Sequence, residues 1–220
     1  MKLYVHFCAF GFSNCYILGT NESPPPDPGD AAAVQKKMPP NEAIIIDPGD
    51  LDEAVIKNIE DNEYTLKGVL ITHNHLNHVH GLSTLKRIYK TEIYCINPVI
   101  KEYKTKPIRD GDVLKLGSIK VEVIAAPGHS ADSAIFKAGR MLFTGDALSA
   151  GLVGTTSSVY AAANQMNALR GKILSLPGDY TILPGHGPPS SLEAERRFNA
   201  GINTYENYKT RRSRLRPELD

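Results

Sequence analysis

The feature that most constrains this 220-residue chain is the run Thr72-His73-Asn74-His75-Leu76-Asn77-His78-Val79-His80-Gly81, which holds four of the seven histidines. The apolar residues Gly68-Val69-Leu70-Ile71 lead into it and read as a buried strand. The other histidines are His6, His129 and His186. His129 stands in Ala126-Pro127-Gly128-His129-Ser130, His186 in Leu183-Pro184-Gly185-His186-Gly187-Pro188, and Asp146 ends Phe143-Thr144-Gly145-Asp146. Each of these follows a run with strand character and is flanked by turn residues. A fold that uses them together must bring several strand ends to one edge.

Metal binding is the chemistry that asks for this pattern. Neutral imidazole is the commonest metal ligand. His73 and His75, two apart on extended backbone, point to one side, and His78 falls on the first turn of the next helix. Three nitrogens with a carboxylate and water make a hydrolytic zinc site. A second cluster about 3.5–4 Å away makes a two-metal site. A solvated loop explains four close histidines but not two Pro-Gly-His turns and a Gly-Asp after strands. His6 and His80 are expected at the surface or behind the ligands. Asp47-Pro48-Gly49 reads as a turn.

The rest of the chain reads as alternating β and α segments. Lys2 to Gly19 gives one or two strands, and Ala43-Ile44-Ile45-Ile46 a buried one. Between them, six prolines lie between Asn21 and Asn41, so residues 21–42 read as an enlarged hairpin loop. Asp50 with Glu53 has the form of a capping box for a helix from Leu51 to Asp61. A helix follows the histidines to about Lys90, then a strand from Glu92 to Ile96. Val113–Leu116 and Ile119–Ile124 form a hairpin around Gly117-Ser118, and Ala134–Phe136 with Met141–Thr144 another. Asn164–Leu176 is a helix with Met166, Leu169 and Ile173 on one stripe. Tyr180–Leu183 is the last strand, and Ser190 with Glu193 opens a C-terminal helical segment from about 191. Hairpins outnumber strand-helix-strand units, which favours an α/β sandwich with mixed sheets over a doubly wound parallel sheet.

Composition excludes other classes. Hydrophobic residues make up 41% and charged residues 22%, ordinary for a globular protein. A net charge of +1 gives no reason to expect nucleic acid or a membrane as partner. Five basic residues between Lys209 and Arg216 read as a solvated tail. Cys8, Cys15 and Cys95 form no Cys-x-x-Cys pair, which fits a reducing, cytoplasmic setting. No apolar run approaches a membrane span and no signal peptide is read.

The pattern resembles the metallo-β-lactamase superfamily, whose signature is T-H-x-H-x-D-H followed by G-H-[ST], G-D and G-H. The resemblance runs from Asn14-Cys15-Tyr16 to about Asn199 and implies one αββα domain over 1–220, two mixed β-sheets flanked by helices. Within it, Asn14-Cys15-Tyr16-Ile17-Leu18, Ile46-Asp47-Pro48-Gly49, Leu142–Asp146 and Leu183–Pro188 are most similar to the glyoxalase II (hydroxyacylglutathione hydrolase) group. The resemblance implies a first metal on His73, His75 and His129, a second on His78 and His186, and Asp146 bridging. Zinc is the expected ion, one or two per chain, with iron or manganese as alternatives. The implied reaction is attack of a metal-bound hydroxide on a thioester or related ester of a small molecule, with no cysteine or serine nucleophile.

Two departures stand out. The signature Asp, which binds the second metal and orients the hydroxide, is Asn77 here, and Asn offers a carbonyl oxygen without charge. Two dications about 3.5 Å apart repel by roughly 19 kcal/mol at an effective dielectric of about 20, so losing an anion weakens the second site. The G-R-T-D stretch of the glyoxalase-like group reads Gly154-Thr155-Thr156-Ser157, and 34 residues follow His186, too few for a glutathione-binding helical domain. Two other readings follow from Asn77: an oxidoreductase similar to the one-iron persulfide dioxygenases, or a non-catalytic metal-binding relic.

Overall fold

In Ile44-Ile45-Ile46 every side chain is buried, and alternate residues serve different cores. Ile44 and Ile46 pack with Tyr16, Leu18, Leu70, Val123, Phe136 and Phe143. Ile45 packs with Ile17, Val69, Val55, Ile59 and Leu82 on the opposite face. The period-2 alternation of a strand thus feeds two layers at once, which is why the run is apolar throughout. The computed structural model describes residues 1–20 and 41–204.

Two six-stranded mixed sheets face each other. The first has the order β1 (Lys2–Phe7), β2 (Asn14–Gly19), β3 (Glu42–Ile46), β4 (Thr65–Leu70), β5 (Ile93–Cys95) and β6 (Lys106–Pro107). β1 to β3 pair antiparallel, and β3 to β6 parallel. The second runs from β7 (Val113–Leu116) through β8 (Ile119–Ala125), β9 (Ala134–Ala138), β10 (Met141–Gly145) and β11 (Thr181–Pro184) to β12 (Ser190–Ser191). Among the described residues only β10 and β11 pair parallel in that sheet.

Helices cover both outer faces. α1 (Glu53–Asp61) and α3 (Leu82–Ile88) pack on the first sheet, and the short α2 (Leu76–Val79) precedes α3. α4 (Val159–Ala168), which continues as a π-helical turn over Leu169–Leu174, and α5 (Leu192–Phe198) cover the second. Met166, Leu169 and Ile173 are all buried there, as their spacing predicts. The expected layering of mixed sheets between helices is observed.

Several expected boundaries move. The first N-cap is Asp52, whose carboxylate accepts from Val55 N, rather than Asp50. The last is Ser191, which accepts from Ala194 N, because Ser190 Oγ donates instead to Glu195. The helix expected from Asn164 begins five residues earlier, capped by Ser158. The helix expected to run from the histidines to Lys90 is two helices, because Gly81 N donates to Pro48 O and the chain packs on Asp50 there. The loop expected at 21–42 stops short of Glu42, which is the first residue of β3; residues 21–40 and the basic run from Lys209 lie outside the described residues.

Candidate metal centre

Five loops meet at one edge of the sandwich. They leave β3 at Asp47, β4 at His73, β8 at His129, β10 at Asp146 and β11 at His186. Backbone bonds tie the two sheets together there: Asn14 N donates to Gly185 O at 2.8 Å and Ala134 N to Thr72 O at 2.8 Å. Asn14 Nδ2 donates to Pro184 O and Gly187 O, and Tyr16 Oη to Pro184 O at 2.6 Å. The Asn14-Cys15-Tyr16 motif therefore holds the turn that carries His186.

Two glycines let the loops close. Gly145 has φ +50°, the left-handed region, and lies against Thr72. A Cβ on Gly185 would sit 2.2 Å from Asp146 Oδ1 and 2.6 Å from His78 Cε1.

The imidazoles are oriented one by one. Thr72 Oγ1 donates to Asp47 Oδ2 at 2.6 Å, so it accepts from His73 Nδ1–H at 3.0 Å. His78 Nδ1–H donates to Asp47 Oδ2 at 3.0 Å. His129 Nδ1–H donates to Thr155 O, and His186 Nδ1–H to Phe12 O, both at 2.9 Å. In each ring the oxygen partner takes the Nδ1 proton and turns Nε2 inward, free to serve as a ligand wherever the ring is neutral. Those nitrogens converge. His75 Nδ1 lies 3.0 Å from His73 Nε2 and 3.1 Å from His129 Nε2. Asp146 Oδ2 lies 3.8, 3.5 and 3.6 Å from Nε2 of His73, His129 and His186, and Oδ1 lies 3.4 Å from His78 Nε2.

Two clusters result, His73/His75/His129/Asp146 and His78/Asp146/His186, with the ligand atoms of each within 4.8 Å of one another. His78 Nε2 and Asp146 Oδ1 are buried and complete no hydrogen bond among the described residues. Buried polar atoms that face one another at 3.4 Å and complete no hydrogen bond are what a divalent cation, in place of a proton, would satisfy. The donor set, imidazole nitrogen and carboxylate oxygen, suits zinc and also iron or manganese.

Electrostatics separate the two clusters. Burial, reinforced by His78, pushes the His73 pKa down to about 3, so it is a neutral ligand at neutral pH. Burial and His129 lower His75. Burial also opposes a charge on His78, but Asp47 and then Asp146 outweigh it and raise its pKa to about 9. Burial opposes the Asp146 carboxylate as well, yet His78 and the other imidazoles bring it down to about 2.

A family model of the metallo-beta-lactamase superfamily matches residues 24–186. The chain belongs to this superfamily. It is 30% identical over 186 residues to hydroxyacylglutathione hydrolase GloC of Haemophilus influenzae, covering 74% of this chain and 88% of that one. Among solved structures, the BLEG-1 B3 metallo-beta-lactamase superposes with a TM-score of 0.75 at 21% identity, over 91% of this chain and 99% of its own. ETHE1 from Myxococcus xanthus does so with a TM-score of 0.72 at 23% identity, over 100% and 93%. Both share the fold.

Of the residues singled out from the sequence, the structure brings His73, His75, His78, His129, Asp146 and His186 together. Asn77 joins them, its Nδ2 2.7 Å from His186 Nε2. His80 stays outside, exposed and stacked on Phe10 at 4.0 Å, and His6 pairs with Asp52 at 3.2 Å. Asp47, read from sequence as a turn residue, is 1% exposed with φ +49° and accepts from Thr72 N, Thr72 Oγ1 and His78. Its position directly after a fully buried strand was the available signal. Asp132 was also missed. It accepts from Asn74 N at 3.0 Å and Asn97 Nδ2 at 2.6 Å and so anchors the histidine run.

Proposed function

We propose that this chain is a metal-dependent hydrolase, with zinc as its ion, that cleaves a thioester or related ester of a small molecule. The observation that carries the reading is the convergence of four Nε2 atoms and His75 Nδ1 on Asp146, each Nε2 ring fixed from behind by an oxygen. His73, His75 and His129 with Asp146 would hold the first ion, and His78, Asp146 and His186 a second. A bound divalent ion supplies an acidified water and polarises a substrate carbonyl.

The chain's own groups do the rest. Asp47 holds the proton on His78 Nδ1 and, through Thr72, the orientation of His73. Asp146 places a carboxylate between both clusters. Asn77 offers its amide to His186 Nε2, the nitrogen that faces Asp146. No thiol nucleophile is available: burial raises the Cys8 and Cys15 pKa values, and Cys95 is pushed up to about 11. All three cysteines are free and buried, which supports a reducing, cytoplasmic setting. Among the described residues no helix is long and apolar enough to cross a membrane. The similarity to GloC supports a thioester as the substrate class.

Asn77 favours a second reading, a single-ion oxidoreductase similar to the one-iron persulfide dioxygenases, because the amide engages a nitrogen that a second ion would need. One experiment separates the readings. Protein loaded with zinc, and separately with ferrous iron, is assayed on a thioester panel and for oxygen consumption on a persulfide. Zinc-dependent thioester cleavage, lost in Asp146→Ala and His129→Ala, supports the hydrolase. Iron-dependent oxygen uptake without thioester cleavage replaces it with the oxidoreductase. Hydrolysis that emerges only in Asn77→Asp identifies a relic.

A further inference from the structure

The three imidazoles of the first cluster reach it from two different sheets. His73 and His75 follow β4 of the first sheet, and His129 follows β8 of the second. A backbone bond joins the two segments at Thr72 and Ala134. The stretches that carry the ligands lie outside the strands, so their spacing falls to side chains.

One buried carboxylate reaches both stretches. Asp132 is 9% exposed. Its Oδ2 accepts at 3.0 Å from Asn74 N, the amide between His73 and His75. Its Oδ1 accepts at 2.8 Å from Ser130 Oγ, on the residue next to His129. Oδ2 also accepts from Asn97 Nδ2 at 2.6 Å, in the loop after β5. Asn97 is fixed in turn, because its backbone oxygen accepts from Thr105 Oγ1 at 2.6 Å and from Cys95 Sγ at 2.9 Å. Among the described residues no lysine or arginine pairs with Asp132. A carboxylate buried without a cation is unfavourable, and three hydrogen bonds are what offset the loss of water.

We propose that Asp132 is a positioning residue for the first metal site: its carboxylate braces the His73–His75 segment against the His129 loop and sets the spacing of the three imidazoles. It acts through Asn74 and Ser130. The proposal rests on the metal-centre reading.

The contacts define an informative substitution. In Asp132→Asn the amide oxygen can take the place of Oδ2 and still accept from Asn74 and Asn97. The amide nitrogen then faces Ser130 Oγ, which accepts and turns its own proton to Ser133 Oγ, 2.8 Å away. The brace survives and the charge does not. Asp132→Ala removes both.

Zinc competition with a chromophoric chelator tests the role. Asp132→Ala should weaken the tightly held ion by about 10–100-fold, the usual effect of losing a partner that orients metal ligands. Asp132→Asn should recover most of that loss. In an Asn77→Asp background, where two ions are expected, Asp132→Ala should weaken one and spare the other. Chelator-treated, 15N-labelled protein gives a readout without metal: hydrogen exchange at the Asn74 amide should be slow in the wild type and Asp132→Asn, and fast in Asp132→Ala. Ser130→Ala keeps the Asn74 arm and cuts the His129 arm, so it should weaken the ion while Asn74 stays protected; it decides the matter if Asp132→Ala does not fold. Unchanged zinc affinity in Ser130→Ala, an equal loss in Asp132→Asn and Asp132→Ala, or weakening of both ions together overturns the proposal. A wild-type chain that holds zinc no more tightly than its variants loses the brace and keeps the metal centre. A wild-type chain that binds no zinc overturns the metal-centre reading and the positioning role with it.

Discussion

Asn77 Nδ2 lies 2.7 Å from His186 Nε2, while Nδ1 of the same ring donates to Phe12 O. The amide therefore donates to the lone pair that faces Asp146. Asn77 is held in this place: Ser13 Oγ donates to its backbone oxygen at 2.5 Å, and Gly11 packs against its Cβ. A cation on His186 has to displace that hydrogen bond and then finds a neutral oxygen at best. The second cluster is thus handicapped by both geometry and charge, whereas His73, His75, His129 and Asp146 are untouched.

Asn77→Asp should restore the second site. Partners that merely touch a ligand tune metal affinity by 10–100-fold, so a charged ligand should tighten the second ion by about a hundredfold or more. Competition with a chromophoric chelator reads this directly. An unchanged second affinity would place the handicap elsewhere.

Asp47→Ala should cost both stability and metal. It removes the acceptor for Thr72 N, Thr72 Oγ1 and His78 Nδ1 in a fully buried place. Hydrogen bonds to a buried charge contribute roughly 1.5–3 kcal/mol each, partly offset when the charge itself goes. A loss of about 2–4 kcal/mol by urea denaturation is expected, with metal affinity down by about 10–100-fold. A variant with normal metal affinity would show that Asp47 only shapes its own turn.

Gly185→Ala should fail for lack of space, not strain. The added methyl meets Asp146 Oδ1 and His78 Cε1. Overpacking of this kind costs about 1–3 kcal/mol. Thermal unfolding should show the loss in chelator-treated protein too, which separates it from a metal effect. Wild-type stability in that state would contradict the packing described.

Chelator-treated protein should be most stable near pH 6.5. His78 is raised to about 9, so its contribution is complete below 6.5 and lost as pH rises through 9. His73 is lowered to about 3, so its contribution is complete above 6.5 and fades as pH falls toward 3. Asp146, lowered to about 2, adds to the acid loss between 3.8 and 2. Denaturant midpoints across this range should trace a maximum. A curve that only rises or only falls would contradict the opposed shifts.

Much of the centre is legible in the sequence because its ligands sit in local patterns: a histidine pair on extended backbone, and Gly-His and Gly-Asp after apolar runs. The hairpin at Gly117-Ser118 is equally local, and Leu116 pairs with Ile119 as a two-residue turn requires. Asp47 is not legible because its meaning is non-local. Asp-Pro-Gly is a turn signal on its own terms, and its partners Thr72 and His78 come from another loop. The shifted caps have a simpler cause: Asp50 and Asp52, or Ser190 and Ser191, offer two competent residues, and tertiary contacts choose between them. The early start of α4 hides behind Val159 and Tyr160, which are weak helix formers.

The central claim is that this fold keeps one strong metal site and one weakened by Asn77. Elemental analysis of protein purified without chelator, counted per chain, tests it most directly. The account predicts about one ion per chain, rising to two in Asn77→Asp. Two ions per wild-type chain that survive mild chelation would contradict it.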